Sequence, residues 1–403
     1  MSLALTPEQE EMRRVAHEFA RREIRPVAAE YDRKEEMAWP VLQKANAAGL
    51  LSFGLPEQYG GGGVPGGLVG VTNFIVMEEL GWGCPAIATA IGSSVYAAGP
   101  ILAFGTPGQQ EKYIPQFCDQ DTVRLGAVCI TEPQGGSDVS AMRTTFRRDG
   151  DEYVLSGTKC FISNGGIADL HIVFAVERPG AGWSGMAGFI VEKGTPGLEM
   201  GKVEQKLGVR SSHTAEVVLS DCRIPAENRL GGANPTVVPG ATSDDGARPN
   251  PLLLLQYSRM IYAATSIGLA RAAYEYALDY ASERQSAGRP IADHQAVAAK
   301  LADMAMAIDA ARLMLWRAGW MVDEGLPLDR GEGSMAKCFA ADTAVDVTRE
   351  AVQILGGHGY MRDHPVERWY RDAKVYQIWE GTNEIQRTII SRALVDQHVR
   401  RSR

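Results

Sequence analysis

A chain of 403 residues is longer than one hydrophobic core commonly organises, so two or three structural units are expected. Its composition, 45% hydrophobic and 22% charged, is that of a globular protein. A formal net charge of −8 argues against nucleic acid, which needs a basic face to neutralise phosphates, while a few arginines and helix N-termini could still hold an anionic ligand.

The first hundred residues read as helices. Thr6-Pro7-Glu8-Gln9 is a helix start: Thr6 can accept a backbone N–H, Pro7 suits the first helical position, and Gln9 can reach back. Met12, Val15, Ala16 and Phe19 follow at helical spacing, and further helical runs span Trp39 to Ala48 and Thr72 to Leu80. From Leu80 to Gln110 there is no charge, a length that could cross a membrane. Its Ala, Gly, Ser and Thr content, broken by Pro85, Pro100 and Pro107, fits a buried helical segment better, so no membrane span is expected.

Near Val123 the texture changes. Apolar runs of strand length, Leu125 to Thr131, Tyr153 to Ser163, His171 to Glu177, Ala187 to Glu192 and Ala215 to Leu219, alternate with Gly, Asp and Asn. They predict a compact barrel or sandwich ending near Ile224-Pro225. Gly231 to Pro251, with four prolines, reads as a long loop, and helical texture returns from Leu252 with Leu301, Met304, Ala305 and Ile308 on one face. The chain is thus an α+β multidomain protein: an all-helical unit (1–123), a central β unit (124–230) and a C-terminal helical bundle (231–403) that includes the loop 231–251. No βαβ alternation is present, which excludes a doubly wound nucleotide fold.

The six cysteines (Cys84, Cys118, Cys129, Cys160, Cys222, Cys338) form no CxxC, and the seven histidines show no ligand spacing. They predict buried thiols in a reducing compartment and no metal site. With no signal peptide at the N-terminus, a cytoplasmic location is expected. Gly61-Gly62-Gly63-Val64-Pro65-Gly66 fits G-x-G-x-x-G but follows no strand, so it reads as a loop. Ser334-Met335-Ala336-Lys337 fits S-x-x-K but has no K-T-G companion and sits in an Ala-rich helical run, so it reads as ordinary helix.

More information lies in Tyr376-Gln377-Ile378-Trp379-Glu380-Gly381-Thr382-Asn383-Glu384-Ile385-Gln386-Arg387. Glu380 stands between apolar residues and a glycine, where burial would raise its pKa and make it a more competent base. Asn383 with Gln386 resembles a capping box, which predicts a helix N-terminus just after Glu380. By chemistry alone, a structural carboxylate beside a Trp remains an alternative.

This block resembles the catalytic segment of acyl-CoA dehydrogenases, and the similarity runs in order through nearly the whole chain. Thr131-Glu132-Pro133-Gln134-Gly135-Gly136-Ser137-Asp138 resembles the family's T-E-P-x-x-G-S-D signature, and Lys159 to Gly165 its second flavin strand. Arg284, His294-Gln295 and Gln353-Ile354-Leu355-Gly356-Gly357 match three further cofactor segments. The resemblance implies a C-terminal four-helix bundle, FAD as cofactor and Glu380 as the base that takes the α-proton of an acyl-CoA. It implies that Thr131 and Ser163 hydrogen-bond the flavin ring, that Phe161 stacks on it, and that Arg284 pairs with the pyrophosphate. Val128, Ile130, Gly381, Thr382 and Glu384 would also touch the cofactor. Gln353 to Gly357 would contact the adenosine half from a neighbouring subunit, implying a homotetramer built as a dimer of dimers. Ser137 would meet the CoA moiety, while Ala88, Thr89, Gly92, Gln256, Arg259, Trp379 and Gly381 would line the substrate site. Electrons would pass to an electron-transfer flavoprotein.

Three departures from the family pattern stand out. Ser286-Ala287-Gly288 replaces a usual Phe, the loop 231–251 is long and expected to border the CoA mouth, and Gln256 stands where Asp is common. Small Ala88 and Gly92 suggest room for a longer or bulkier acyl group, whereas Trp379 argues against branching. Rival readings are a flavin oxidase using O₂, a dehydrogenase of carrier-protein-bound acyl groups, and a non-catalytic acyl-CoA-binding relative.

Overall fold

A computed structural model describes residues 4–182, 185–231 and 251–401. The loop expected to border the CoA mouth, 232–250, and the side chain of Gln256 lie outside the described residues.

Seven helices open the chain: α1 (Pro7–Phe19), α2 (Ala28–Lys34), α3 (Trp39–Ala47), α4 (Val71–Gly83), α5 (Pro85–Ser93), α6 (Ala98–Phe104) and α7 (Pro107–Tyr113). The start of α1 is a capping box: Gln9 N donates to Thr6 Oγ1 (3.2 Å) and Thr6 N to Gln9 Oε1 (3.0 Å). Such caps stabilise a helix by ~0.5–2 kcal/mol. Helix α4 is buried on nearly every face, as expected for an element apolar all round that forms the centre of a domain. The uncharged stretch becomes α5 and α6, bent by 42° between them, with α5 packed against α3, α4 and α8. Among the described residues no single helix is long and apolar enough to cross a membrane.

The centre is one curled sheet of β1 (Gly126–Cys129), β2 (Thr145–Asp149), β3 (Glu152–Ser163), β4 (Leu170–Val176), β5 (Met186–Glu192), β6 (Leu198–Val203) and β7 (Thr214–Pro225). Their spatial order is β1-β4-β2-β3-β7-β6, with β5 paired to β4. Strands β2 and β6 were not among the expected runs, because Thr-Phe-Arg-Arg-Asp and Leu-Glu-Met-Gly-Lys-Val keep mostly polar or exposed side chains. A register shift between Lys159 and Ile162 breaks the β3–β7 ladder, and within it Phe161 takes φ 57° with its side chain outward. Bulges of this kind re-aim a side chain.

Helix α8 (Pro251–Glu283) crosses the molecule and is followed by a hairpin, β8 (Gln285–Ser286) and β9 (Arg289–Pro290). Then come α9 (Gln295–Asp323), α10 (Glu332–Leu355), the short α11 (Gly357–Tyr360), α12 (Val366–Ala373) and α13 (Asn383–Arg401). Helices α8, α9, α10 and α13 make the C-terminal bundle, and α4 lies across α8. That crossing needs Gly268, because a Cβ there would stand 2.0 Å from the Glu78 carbonyl oxygen.

Candidate active site

After α12 the chain makes a short turn and reverses at Glu380 (φ 55°) and Gly381 (φ 85°). Left-handed backbone at a non-glycine residue costs of the order of 1–2 kcal/mol and persists only where neighbours over-determine it. Three side chains do so here. Gln386 Nε2 donates to the carbonyls of Glu380 and Gly381, both at 3.0 Å, and Lys337 Nζ donates to Gly381 O at 2.7 Å. Arg259 Nη1 in turn donates to Gln386 Oε1 at 2.9 Å and to Ser334 Oγ at 2.6 Å.

Helix α13 starts where the sequence placed it, but with a different cap. Ile385 N donates to Thr382 Oγ1 (3.4 Å), which makes Thr382 the cap. Asn383 is buried instead, its Nδ2 donating to Cys338 O (3.2 Å) and Asp342 Oδ1 (2.8 Å), its Oδ1 accepting from Lys337 (3.0 Å). The side chain is consumed by α10, leaving the adjacent threonine to serve the helix end.

Glu380 keeps some exposure as a residue, yet its carboxyl is enclosed. Burial pushes its pKa upward, opposed by the Ser258 hydroxyl, which donates to Oε2 at 2.5 Å, and by the charges of Arg259 and Lys337. Burial also dominates the two cations, lowering Arg259 to about 10 and Lys337 to about 8. Both bind neutral acceptors in the same shell rather than a carboxylate. A carboxyl so placed can exchange a proton nearer neutral pH than a solvated one.

Thr131 and Phe161 come together where Cys160 N donates to Thr131 O at 2.9 Å. Buried Lys159 fastens the same segment, its Nζ donating to Glu132 Oε1 (2.7 Å) and Ile130 O (3.1 Å). The Phe161 ring is 66% exposed, with the partly exposed Ser163 two residues on. Val128 is partly buried, Ile130 buried and Ser137 exposed on the following turn. Asn164, at φ 58° and fully buried, ties this strand to α5: its Nδ2 donates to Ser93 Oγ (3.0 Å) and Gly126 O (3.0 Å).

Ala88, Thr89 and Gly92 share α5, and Trp379 packs on Tyr262 and Tyr376 with ring centroids at 4.7 and 5.1 Å. A second group forms elsewhere. Arg284 and Gln295 are exposed around the β8–β9 hairpin, where His294 Nε2 meets Ser286 O at 3.0 Å. Tyr280 meets His358 at 2.8 Å, bringing this corner to the exposed Gln353, Gly356 and Gly357. At ~1.5 Å per helical residue, α8 holds Arg284 ~37 Å from Arg259, so the two groups do not share one site within the chain. Glu384 points outward on the first turn of α13.

Sequence reasoning missed Ser258 and Tyr262, and set aside Ser334 and Lys337. The last two carried a signal: spacing of three puts both on one helical face, and that face meets the Glu380 turn.

Residues 6–121, 127–222 and 251–395 match the N-terminal, middle and C-terminal domains of acyl-CoA dehydrogenase. An acyl-CoA dehydrogenase of Bacillus subtilis (strain 168) is 42% identical over 396 residues, covering 97% of this chain and 99% of the relative. The structure of butyryl-CoA dehydrogenase from Megasphaera elsdenii superposes with a TM-score of 0.90 at 36% identity, covering 98% and 100% of the two chains. A chain from the structure described as the electron transferring flavoprotein of Acidaminococcus fermentans gives a TM-score of 0.89 at 37% identity, covering 98% and 99%. Three consecutive domain matches and near-complete coverage place the chain in the acyl-CoA dehydrogenase family of flavoprotein oxidoreductases.

Proposed function

We propose that the protein converts an acyl-CoA to its trans-2-enoyl-CoA, with Glu380 taking the α-proton. The observation that carries this is the enclosed carboxyl on a left-handed turn, held by Gln386, Lys337 and Arg259. Such a clamp fixes the base against the substrate, and positioning is a large part of proton-transfer catalysis. The backbone N–H of Glu380 polarises the thioester carbonyl, and Arg259 and Lys337 hold positive charge behind the base as it picks up and releases its proton.

FAD is the cofactor of this family and, when bound, supplies a hydride acceptor for the β-carbon. The residues present suit it: an outward aromatic ring at Phe161 offers a face for a flat ring system, beside the hydroxyls of Thr131 and Ser163. Val128, Ile130, Gly381, Thr382 and Glu384 complete its surroundings. Arg284, His294, Gln295, Gln353, Gly356 and Gly357 serve the cofactor of a neighbouring subunit in a homotetramer, a reading supported by the ~37 Å of α8 between Arg259 and Arg284 and by the Tyr280–His358 contact that gathers the others at that end. Ser137 receives the CoA moiety, Ala88, Thr89, Gly92, Arg259 and Trp379 line the substrate site, and an electron-transfer flavoprotein takes the electrons. The protein works in the cytoplasm, where its six free cysteines stay reduced.

Anaerobic mixing with acyl-CoA tests the assignment. Glu380→Gln keeps bound FAD and loses flavin bleaching by at least about a hundredfold in rate. Bleaching at the wild-type rate would remove Glu380 as the base. Reduced enzyme reoxidised rapidly by air in a stopped-flow instrument would turn the reading towards an oxidase.

A further inference from the structure

A loop of the β unit reaches across to the helix that leads into the Glu380 turn, and its backbone is strained where the two meet. Residues 204–213 join β6 to β7, and within them Val209 takes φ 51° with its side chain buried. Left-handed backbone is an outlier for a β-branched residue and persists only where surrounding groups hold it. The holding group is Asp372 on α12, whose Oδ1 accepts from Val209 N at 2.5 Å. Gly208 permits the approach, since a Cβ there would stand 2.4 Å from the Arg371 carbonyl oxygen. Arg371 Nη1 adds a second tie by donating to Leu207 O at 3.1 Å.

Each end of this contact runs into the site. On one side, His213 O accepts from Asn164 N at 3.0 Å and His213 Nε2 meets Gly165 O at 3.0 Å, directly after the strand that carries Phe161 and Ser163. Ser163 itself pairs with Thr214 on β7. On the other side, Asp372 is followed by the end of α12, a 3₁₀ turn over Lys374–Gln377 and then Glu380. That segment has little freedom: Tyr376 is buried, and Ile378 N and Trp379 N both donate to Val375 O, at 2.8 and 3.0 Å. Asp372 is 1% exposed, and among the described residues its Oδ2 has no hydrogen-bond partner. Burial pushes its pKa up to about 6, against the charge of Arg368 and the Val209 N–H. A carboxylate buried with one oxygen unmatched is costly, so its worth lies in what the other oxygen holds.

From these contacts we infer that the loop from Leu207 to His213 is a brace setting the Glu380 turn against the strand of Phe161 and Ser163, and that Asp372 is the positioning residue that locks it. The inference rests on Glu380 being the base and on Phe161 and Ser163 facing the flavin. Proton removal and hydride transfer act on adjacent carbons of one substrate, so base and acceptor must keep their mutual spacing. A displacement of ~1 Å can cost about a hundredfold in rate. The base stands on the helical unit and the strand on the β unit, and this loop ties one to the other. Asp372 acts through Val209.

Anaerobic bleaching of the FAD-loaded enzyme over a butyryl-CoA concentration series tests the brace. Asp372→Leu fills similar volume without an acceptor; it should lower the limiting rate by about tenfold to a hundredfold and leave the half-saturating concentration in place, as lost alignment does. Asp372→Asn keeps an oxygen for Val209 N and should recover most of that rate. Should Asp372→Leu not accumulate as folded holoenzyme, Gly208→Ala drives the loop off Arg371 O and carries the same expectation. Hydrogen exchange without acyl-CoA gives a readout free of turnover: peptides over 207–213 and 376–382 should both exchange faster in Asp372→Leu and as in wild type in Asp372→Asn. Faster exchange confined to 207–213, or an Asp372→Asn as slow as Asp372→Leu, would overturn the inference. So would a wild-type limiting rate in Asp372→Leu, which leaves Glu380 as the base. Failure of the underlying reading shows separately, as wild-type bleaching by Glu380→Gln.

Discussion

The crossing of α4 with α8 and the turn at Glu380 each bury several charged side chains, and they meet the cost of desolvation differently. At the crossing, cations and carboxylates touch. Arg271 Nη1 donates to Glu78 Oε1 at 2.9 Å and Glu79 Oε1 at 3.0 Å, Arg312 Nη2 reaches Glu78 Oε1 at 2.9 Å, and His17 meets Glu79 at 2.9 Å. Burial would raise Glu79 and lower Arg271, but these bonds outweigh it: Glu79 is lowered and Arg271 raised. Around Glu380 the charges bind neutral groups instead, burial wins, and the acid moves up while both cations move down. Mutual satisfaction fixes protonation states and so suits architecture, whereas unsatisfied proximity leaves them close to exchange, which proton transfer requires.

Arg271→Leu should break the comparison at its structural end. It takes the shared cation from two buried carboxylates, leaving Glu78 with Arg312 alone and Glu79 with His17 alone, and should cost about 3–5 kcal/mol in denaturant unfolding, with flavin bleaching per folded molecule preserved. An unchanged unfolding midpoint would show that the crossing is not where the buried charge stabilises the fold. Lys337→Met should do the reverse. With Gly381 O and Asn383 Oδ1 deprived of their cation, stability should fall by only ~1–3 kcal/mol while turnover drops about tenfold to a hundredfold. Wild-type turnover in that variant would mean that the clamp does not position the base.

Acid titration should separate the two behaviours in one experiment. Glu380 is raised in the folded state, so the folded protein binds its proton more tightly; this group favours folding below its unfolded pKa of about 4.3 and gives up that contribution as pH rises through its folded value. As a base it works only when deprotonated, so turnover should fall with pH while the solution is still above the ordinary carboxylate range. Glu132 goes the other way. Burial opposes ionisation, but the Lys159 charge and several hydrogen bonds outweigh it and hold the group at about 2. Its stabilisation is present above about 4.3 and lost between there and about 2. Activity should therefore decline before circular dichroism does on the same pH series, and coincident curves would refute the split. The mildest change is Ser258→Ala. It removes the bond that opposes the rise of Glu380, so the acid limb of turnover should move to higher pH, slowing the enzyme at acid pH by about tenfold or less. A limb that stays put or moves down would discard Ser258 as a partner of the base.

Much of this could be read before any coordinates. The Thr6 box, the ends of α3, the start of α4, five of the strands and the start of α13 follow from local chemistry, because caps, prolines and apolar runs act within a few residues. Strands β2 and β6 escaped because their pairing comes from neighbours rather than from their own alternation. In the site, Glu380 was legible from its flanks. Lys337 was not, since a lysine on an Ala-rich helix looks solvated until the Gly381 carbonyl is seen above it. Gly92 likewise suggests space in the sequence, but a Cβ there would stand 3.1 Å from Met77 Cε on the neighbouring helix.

Asn164 carries a lesson for anyone who would re-engineer the substrate range. Its amide spans Ser93 at the end of α5 and Gly126 on β1, so the helix proposed to line the substrate site is also a mooring for the sheet. A transplanted α5 without a hydroxyl at position 93 would cast off one of those lines. Combinatorial libraries that vary positions 88, 89 and 92 while holding Ser93 and Asn164 constant keep the scaffold berthed as the proposed substrate site is rebuilt.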